Sequence, residues 1–245
     1  MDAHITIIGA GVVGLAVAAE LSKYSDAVFV IEKHDRFGQE TSSRNSEIIH
    51  SGVYYPENSL KAILCVTGKK MLIEYCDRHD VAYRLCGKMI VSQTEQDRDT
   101  IEEIARSASR NGVTDHQIIG RDEIKSMEPH ISARRAVFFP STGILDTHGL
   151  MKALETEAIN QGVQIVYGSE VKHIRRIDGG YEIELLEQNR HATRYASTMV
   201  INSAGLMAEK IAWMAGIDRP EYRTFFWKGE YFSLQNGKHK LLSRL

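Results

Sequence analysis

The chain has 245 residues, 43% hydrophobic and 25% charged, with a net charge of −2. These values suit one large or two small globular domains, and the charge excludes the basic footprint of a nucleic-acid-binding protein. Cys65, Cys76 and Cys86 are odd in number and lack C-x-x-C spacing, which argues against a disulfide framework or a metal site and for reduced intracellular thiols.

The first element is the apolar strand Ile5, Thr6, Ile7 and Ile8. Gly9, Gly11 and Gly14 follow as G-x-G-x-x-G, then an Ala-rich helix over about 12–24, facing the sheet with Val12, Leu15, Ala16, Ala19 and Leu21. A buried strand at 28–31 leads to Glu32. Strand, glycine turn, helix, strand and acid together form a dinucleotide-binding fingerprint. Gly9 permits the tight turn, Gly11 bares the backbone to a pyrophosphate, and Gly14 lets the helix pack on the strand. The helix start offers N–H groups and partial positive charge to phosphates. Glu32 is the expected acceptor for ribose hydroxyls, and its charge argues against NADP. Val13 in the first turn and Lys33 beside Glu32 join the expected cofactor contacts. The motif leaves FAD and NAD both open.

A polar loop over 41–46 precedes a helix over 59–79, with Leu60, Leu64, Leu72 and Tyr75 at helical spacing and Gly68 as a soft spot. A strand is expected at 89–91. Thr94 and Asp97 are spaced like a capping box. The helix they open carries Ile101, Ile104, Ala105 and Ala108 as its stripe and ends at Asn111-Gly112. A short strand at 136–139 precedes a helix over about 149–160, capped by Asp146-Thr147 and stopped by Gly162. Strands follow at 163–167 and 171–174, then a hairpin of 181–186 with 192–196. An apolar strand over 198–203 leads through Ala204-Gly205 into a helix ending near Trp213. Trp213 is expected to pack in its helix core and Trp227 to pack, with a place lining the substrate cavity as its alternative, and 225–234 reads as extended chain. Arg134-Arg135 and Arg175-Arg176 read as solvated faces. Alternating helices and strands imply an α/β fold, a parallel sheet with helices on both faces. The stretch 83–139 reads as an insertion that the tail after Pro220 rejoins.

Three segments together resemble the FAD-dependent oxidoreductases of the D-amino-acid oxidase and glycerol-3-phosphate dehydrogenase type. They are the glycine motif with Glu32, Gly162-Val163 through Val171, and Val200-Ile201-Asn202-Ser203-Ala204-Gly205. In that family the backbone at the position of Val171 meets the adenine, and the last segment, with Ala204 and Gly205, closes over the dinucleotide. The resemblance implies FAD rather than NAD. It also implies a Rossmann-type FAD-binding domain with a parallel sheet (1–82 and 141–218, with the hairpin at 181–196). An inserted α+β substrate domain would occupy 83–140, with its second part starting at 219–245. A narrower block, Ser43-Arg44-Asn45-Ser46-Glu47-Ile48-Ile49-His50-Ser51-Gly52-Val53-Tyr54-Tyr55-Pro56 and then Ser59-Leu60-Lys61-Ala62, resembles the L-2-hydroxyglutarate oxidases and dehydrogenases. Cys86-Gly87-Lys88, Gly143-Ile144 and Lys228-Gly229-Glu230-Tyr231-Phe232 match that subfamily too. Lys228 stands where the family commonly has arginine and cannot offer a carboxylate a bidentate fork. Family members continue past the position of Leu245, so an incomplete substrate domain is expected.

The implied reaction oxidises L-2-hydroxyglutarate, or a close 2-hydroxy acid, to the 2-oxo acid. A hydride leaves the α-carbon for flavin N5 and a proton leaves the hydroxyl. His50 is the candidate base, because an ordinary histidine pKa near ~6.5 suits the task. A histidine that packs on the flavin or anchors the loop is the alternative, and a covalent flavin link is a third. Ser42, Ser43 and Arg44 are candidates for the FAD phosphates. Two substrate carboxylates require local cations. Arg44, Lys61, Lys88, Arg223 and Lys228 are candidates, helped by the hydroxyls of Tyr54, Tyr55 and Tyr231, although each cation alone also reads as a solvated charge. Oxygen or a quinone is the expected electron acceptor, and no metal is expected. No apolar run reaches transmembrane length, and residues 1–4 leave no room for a signal peptide. The expected location is therefore the cytoplasm, with peripheral contact to the inner membrane left open. Glycerol 3-phosphate or an amino acid remains open as the substrate, as does an inactive remnant or a bare dinucleotide-binding module.

Overall fold

The computed structural model describes residues 1–94, 97–231 and 241–245; Phe232 and Leu234, expected in an extended segment, lie outside them. In chain order the elements are β1 (Ala3–Ile8), α1 (Val12–Leu21), β2 (Val28–Ile31), β3 (Ile48–Ile49), α2 (Leu60–Arg78), β4 (Tyr83–Arg84), β5 (Lys88–Ser92), α3 (Arg98–Arg110), β6 (Gln117–Gly120) and α4 (Arg121–Met127). They continue with β7 (Arg135–Phe139), β8 (Gly143–Leu145), α5 (Thr147–Asn160), β9 (Gln164–Val166), β10 (Ser169–Ile177), β11 (Gly180–Glu187), β12 (Ala192–Asn202) and α6 (Ala208–Met214). Two compact units result, Met1–Asn45 with Thr147–Gly229 and Ser46–Asp146 with Glu230–Leu245. Among the described residues no helix is long and apolar enough to cross a membrane.

The first unit is built on one six-stranded sheet in the order β10-β11-β12-β1-β2-β9. The strands β12, β1, β2 and β9 run parallel, and β10, β11 and β12 antiparallel. The unbroken apolar runs of β1 and β2 suit strands buried on both faces, and Ile7, between Val30 and Ile201, is fully buried. The expected hairpin arm and the expected last strand are one continuous strand, β12. Its outer half alternates because it pairs with β11, and its inner half turns apolar because it pairs with β1. Ser197 sits at the changeover, opposite Tyr181 on one side and Ala3 on the other.

Helix α1 lies against β1, β2 and α5. Its buried face is Gly14, Leu15, Ala18 and Ala19, so the expected Ala16 is replaced by Ala18. It stops at Leu21, short of Tyr24, where the Ser22 hydroxyl turns back to the Ala19 carbonyl. Helix α6 lies against β10 and β12 and buries Ile211. Trp213, two residues on and about 200° round the helix, therefore faces outward and is 63% exposed. Trp227, at 93% exposed, is not packed either.

The second unit holds two three-stranded sheets, β3-β8-β4 and β5-β7-β6. Helix α3 covers β7 through a core of Val53, Ile101, Ala105, Ala108, Val113, Val137 and Phe139. Asp97 is the N-cap of α3, and Thr94 donates to it from both its N–H and its hydroxyl. The box expected to start at Thr94 therefore caps three residues later. In α2 the packed positions are Ala62 and Cys76, with Val66 against the core, while Leu60 and Leu64 face outward. Strand β6 and helix α4 carry too short an apolar pattern to be read from sequence. Residues 46–82 pack with this unit rather than with the glycine motif, because Asn111 at the end of α3 binds the carbonyls of Gly52 and Tyr55. Residues 219–229 stay with the first unit. The end of the chain pairs with the second unit, Leu245 donating to Gly87 and accepting from Met89.

Candidate functional site

In the first unit three segments meet at the end of β1. Gly9 has φ +105°, and a Cβ there would fall 2.6 Å from the Ser203 carbonyl oxygen. The turn is locked on both sides, since the Gly9 N–H donates to Ile31 and the Ser203 N–H donates to Ile8. A Cβ on Gly14 would lie 1.9 Å from the Gly9 carbonyl oxygen, so the start of α1 can approach the turn only because that side chain is missing. Gly11 is the N-cap of α1. The Ser42 hydroxyl accepts from the Val12 N–H at 3.0 Å and so stands at the helix mouth, where an anion would gain the N–H groups and the helix dipole. Val13 is on the exposed side of the same turn. Ser43 turns instead to the Gly38 carbonyl and closes the loop between them, and Arg44 is exposed.

Glu32, 7% exposed, closes the other side. Its Oε2 accepts from the Ala10 N–H at 2.8 Å and its Oε1 from the His34 N–H at 2.9 Å. Each oxygen keeps a further lone pair for a ribose hydroxyl. Lys33 pairs with Glu40 at 2.6 Å. The bonds from Lys33, and then from His34, hold the Glu40 carboxyl below the usual carboxylate range. Val171 sends its side chain into the core beside Ile8 and Ile31, which leaves its backbone as the part able to meet a ligand. A bulge between Val171 and His173 breaks the ladder there. Ala204 and Gly205 form the turn above Gly9, with the Ala204 Cα 3.3 Å from a Cβ placed on Gly9. Bare glycine backbone, a helix N-terminus and a buried carboxylate at the end of β2 fit a dinucleotide.

The second unit gathers a different set. Val53 is buried in its core, and Asn111 Nδ2 binds the carbonyls of Gly52 and Tyr55 at 3.0 and 2.9 Å. The loop carrying His50, Tyr54 and Tyr55 is therefore held by its own backbone. Ser59 caps α2 by accepting from the Ala62 N–H, which sets Lys61 on the first turn. Lys61 Nζ stands 4.5 Å from the centre of the Tyr55 ring, and Lys88 Nζ stands 4.5 Å from the centre of the Tyr54 ring. His50 keeps an exposed edge. Partial burial of its ring, and then the charges of Lys88 and Lys61, hold its pKa below the ordinary histidine value. Burial, and then Cys65, pushes the Tyr55 hydroxyl up.

Lys228 belongs to the first unit and Tyr231 to the second; both are exposed. Sequence reasoning missed Asn111 as the anchor of the His50 loop, because an Asn-Gly pair after a helix reads as a stop signal. A groove of about 280 Å³ on the first unit, bordered by Leu206, Met207, Trp213 and Tyr222, contains none of the expected site residues.

The chain matches the FAD dependent oxidoreductase family over residues 4–244. It is 36% identical over 204 residues to the mitochondrial L-2-hydroxyglutarate dehydrogenase of Arabidopsis thaliana, covering 83% of this chain and 40% of that one. It is 29% identical over 241 residues to the L-2-hydroxyglutarate dehydrogenase of Escherichia coli K12, covering 98% of this chain and 56% of that one. The chain thus spans about half the length of the curated relatives it matches. Among solved structures it is similar to the dithionite-reduced L-alpha-glycerophosphate oxidase of Mycoplasma pneumoniae with FAD bound. The TM-score is 0.80 and the identity 27%, over 87% of this chain and 56% of that one. With the glycine cradle, the buried Glu32 beside it and a family match across nearly its whole length, this chain belongs to the FAD dependent oxidoreductases.

Proposed function

We propose that this chain forms part of a flavoenzyme that oxidises L-2-hydroxyglutarate, or a close 2-hydroxy dicarboxylate, to the 2-oxo acid. The observation that carries the reading is the loop around His50, a neutral-biased imidazole with two ammonium groups acting on it. The names of the relatives support it. FAD, when bound, supplies the hydride acceptor and passes electrons on to oxygen or a quinone. Gly9, Gly11, Val13, Gly14, Ser42, Glu32, Val171, Ala204 and Gly205 would hold its dinucleotide.

The residues of the second unit account for the remaining chemistry. Lys61 and Lys88 attract the substrate carboxylates. His50, neutral near pH 7, accepts the hydroxyl proton at a ring nitrogen as the C–H bond breaks. The test is a visible spectrum of the purified chain with FAD, followed by anaerobic L-2-hydroxyglutarate. Bleaching of the flavin band in wild type, slowed in His50→Ala, supports the reading. Bleaching at the wild-type rate in His50→Ala makes His50 structural. A second reading, glycerol 3-phosphate as substrate, is favoured by the fold match to the glycerophosphate oxidase and is tested by adding that compound in parallel. A protein that ignores FAD would be a non-catalytic remnant.

A further inference from the structure

The two tyrosines that follow His50 are explained poorly by hydroxyl contacts to a substrate. Each ring faces an ammonium group at 4.5 Å, Tyr54 facing Lys88 and Tyr55 facing Lys61. Neither lysine pairs with a carboxylate among the described residues. Lys23, Lys33, Lys152 and Lys172 sit instead on Glu20, Glu40, Glu155 and Glu170, while Lys69 and Lys125 turn to the Ser141 hydroxyl and the Pro129 carbonyl. A carboxylate partner would cancel the positive charge. An aromatic face steadies a cation by its quadrupole and leaves the net charge in place. The first turn of α2, which carries Lys61, adds the partial positive charge of a helix start.

The loop beneath is fixed independently of any ligand, by Val53 in the core and Asn111 on two carbonyls. Two ammonium groups, each seated on a tyrosine ring of the loop that carries His50, are therefore held in place without a carboxylate partner among the described residues. A single cation would satisfy a monocarboxylate. Two suit a dianion, and the charge they leave is matched only when both are met.

We propose that Tyr54 and Tyr55 are positioning residues, whose rings hold Lys88 and Lys61 as an uncompensated pair that selects dianionic over monoanionic acids at His50. The inference rests on the substrate reading above and makes that reading specific: the dicarboxylate is chosen by two lysines, and the tyrosine hydroxyls are dispensable.

The experiment titrates the 245-residue chain with glutarate and, separately, butyrate by isothermal calorimetry, and follows the His50 imidazole signals by NMR. In wild type, glutarate binds more tightly than butyrate, and its binding raises the His50 pKa by offsetting the two ammonium charges. Lys61→Met and Lys88→Met each weaken glutarate binding by about tenfold, the size of one lost charge-assisted hydrogen bond, and bring it close to butyrate. Tyr54→Leu and Tyr55→Leu do the same with both charges retained, whereas Tyr54→Phe and Tyr55→Phe keep the wild-type preference. Lys70→Met, which removes an exposed charge elsewhere on α2, changes neither ligand. Circular dichroism confirms that each variant is folded.

The inference is overturned if wild type binds the two acids equally or binds neither. It is also overturned if the lysine variants keep the preference, or if the Phe variants lose it as the Leu variants do. Flavin bleaching separates this from the function itself. Bleaching by L-2-hydroxyglutarate with an unchanged preference in the lysine variants ends the pairing and leaves the enzyme reading intact. A lysine-dependent preference without bleaching by any 2-hydroxy acid ends the enzyme reading and leaves the dianion site.

Discussion

The closest approach in the first unit makes a sharp test of the glycine cradle. In Gly14→Ala the new Cβ would stand 1.9 Å from the Gly9 carbonyl oxygen, where ordinary contact begins at 3.4 Å. The start of α1 or the turn itself must give by more than an ångström. The obstacle is backbone, so the cost belongs at the upper end of core overpacking, ~3 kcal/mol. Alanine over glycine in a helix returns ~1 kcal/mol. The expected net loss is ~2 kcal/mol, or a fall of ~4–8 °C in Tm for a chain of this size. Gly68 is the matched control, because it lies in α2 and a Cβ there meets nothing within 4 Å. Gly68→Ala should therefore stabilise by ~1 kcal/mol. Urea denaturation followed by circular dichroism reads both, and FAD retention after desalting should fall for Gly14→Ala alone. If Gly14→Ala proves as stable as Gly68→Ala, the contact between helix and turn is not the constraint that makes this position glycine.

Four further outcomes are expected. Glu32→Ala orphans the buried N–H of Ala10 and the half-buried N–H of His34; it should cost ~2–4 kcal/mol in urea denaturation and abolish FAD retention, and retention at the wild-type level would exclude the ribose role. Asn111→Ala frees the carbonyls of Gly52 and Tyr55 and should destabilise the second unit by ~2 kcal/mol, with faster hydrogen exchange in the His50 loop; an unchanged exchange rate would show that the core alone fixes the loop. Burial pushes the Glu128 carboxyl up, but bonds from Ser243 and Arg244 outweigh it and hold the group below the carboxylate range. The docked segment 241–245 is therefore stabilised above the ordinary value near ~4.3 and loses that support as pH falls through the lowered value, which exchange of the Met89 and Leu245 amides would report, with Glu128→Gln removing the pH dependence. His50, held low by its burial and by Lys88 and Lys61, keeps its neutral form below ~6.5, so the acid limb of flavin reduction should lie below that value and move up in Lys88→Met.

The glycine fingerprint was legible because each of its parts has one physical solution. A backbone turn at φ +105°, a helix packed without a Cβ, and an acid ending an apolar strand leave little choice of residue. The α3 stripe and the hairpin were readable for a similar reason, since periodicity alone decides them. The partition of residues 46–82 was not readable. Helix α2 carries apolar residues on several sides, and the positions that pack, Ala62 and Cys76 with Val66, are smaller than Leu60 and Leu64, which face outward. Size suggested the wrong face. Trp213 misled in the same way, because a seven-residue helix has one inward position per turn, and Ile211 already fills it.

One arrangement recurs in both units. A polar side chain, buried for Glu32 and half-buried for Asn111, ties backbone groups together, and the exposed groups beside it are left for a ligand. Glu32 ties the glycine turn, through the Ala10 N–H, to the segment after β2, through the His34 N–H, beside the first turn of α1. Asn111 holds the His50 loop through two carbonyls, beside Lys61, Lys88 and the exposed edge of His50. Polar anchors of this kind cost folding energy when truncated, because they leave orphaned backbone behind. The exposed groups carry no such penalty. Anchor variants should therefore lose stability and binding together, whereas Lys88→Met should lose binding at nearly constant stability. A Lys88→Met protein that unfolded as readily as Asn111→Ala would place that ammonium in the structural frame and remove it from ligand recognition.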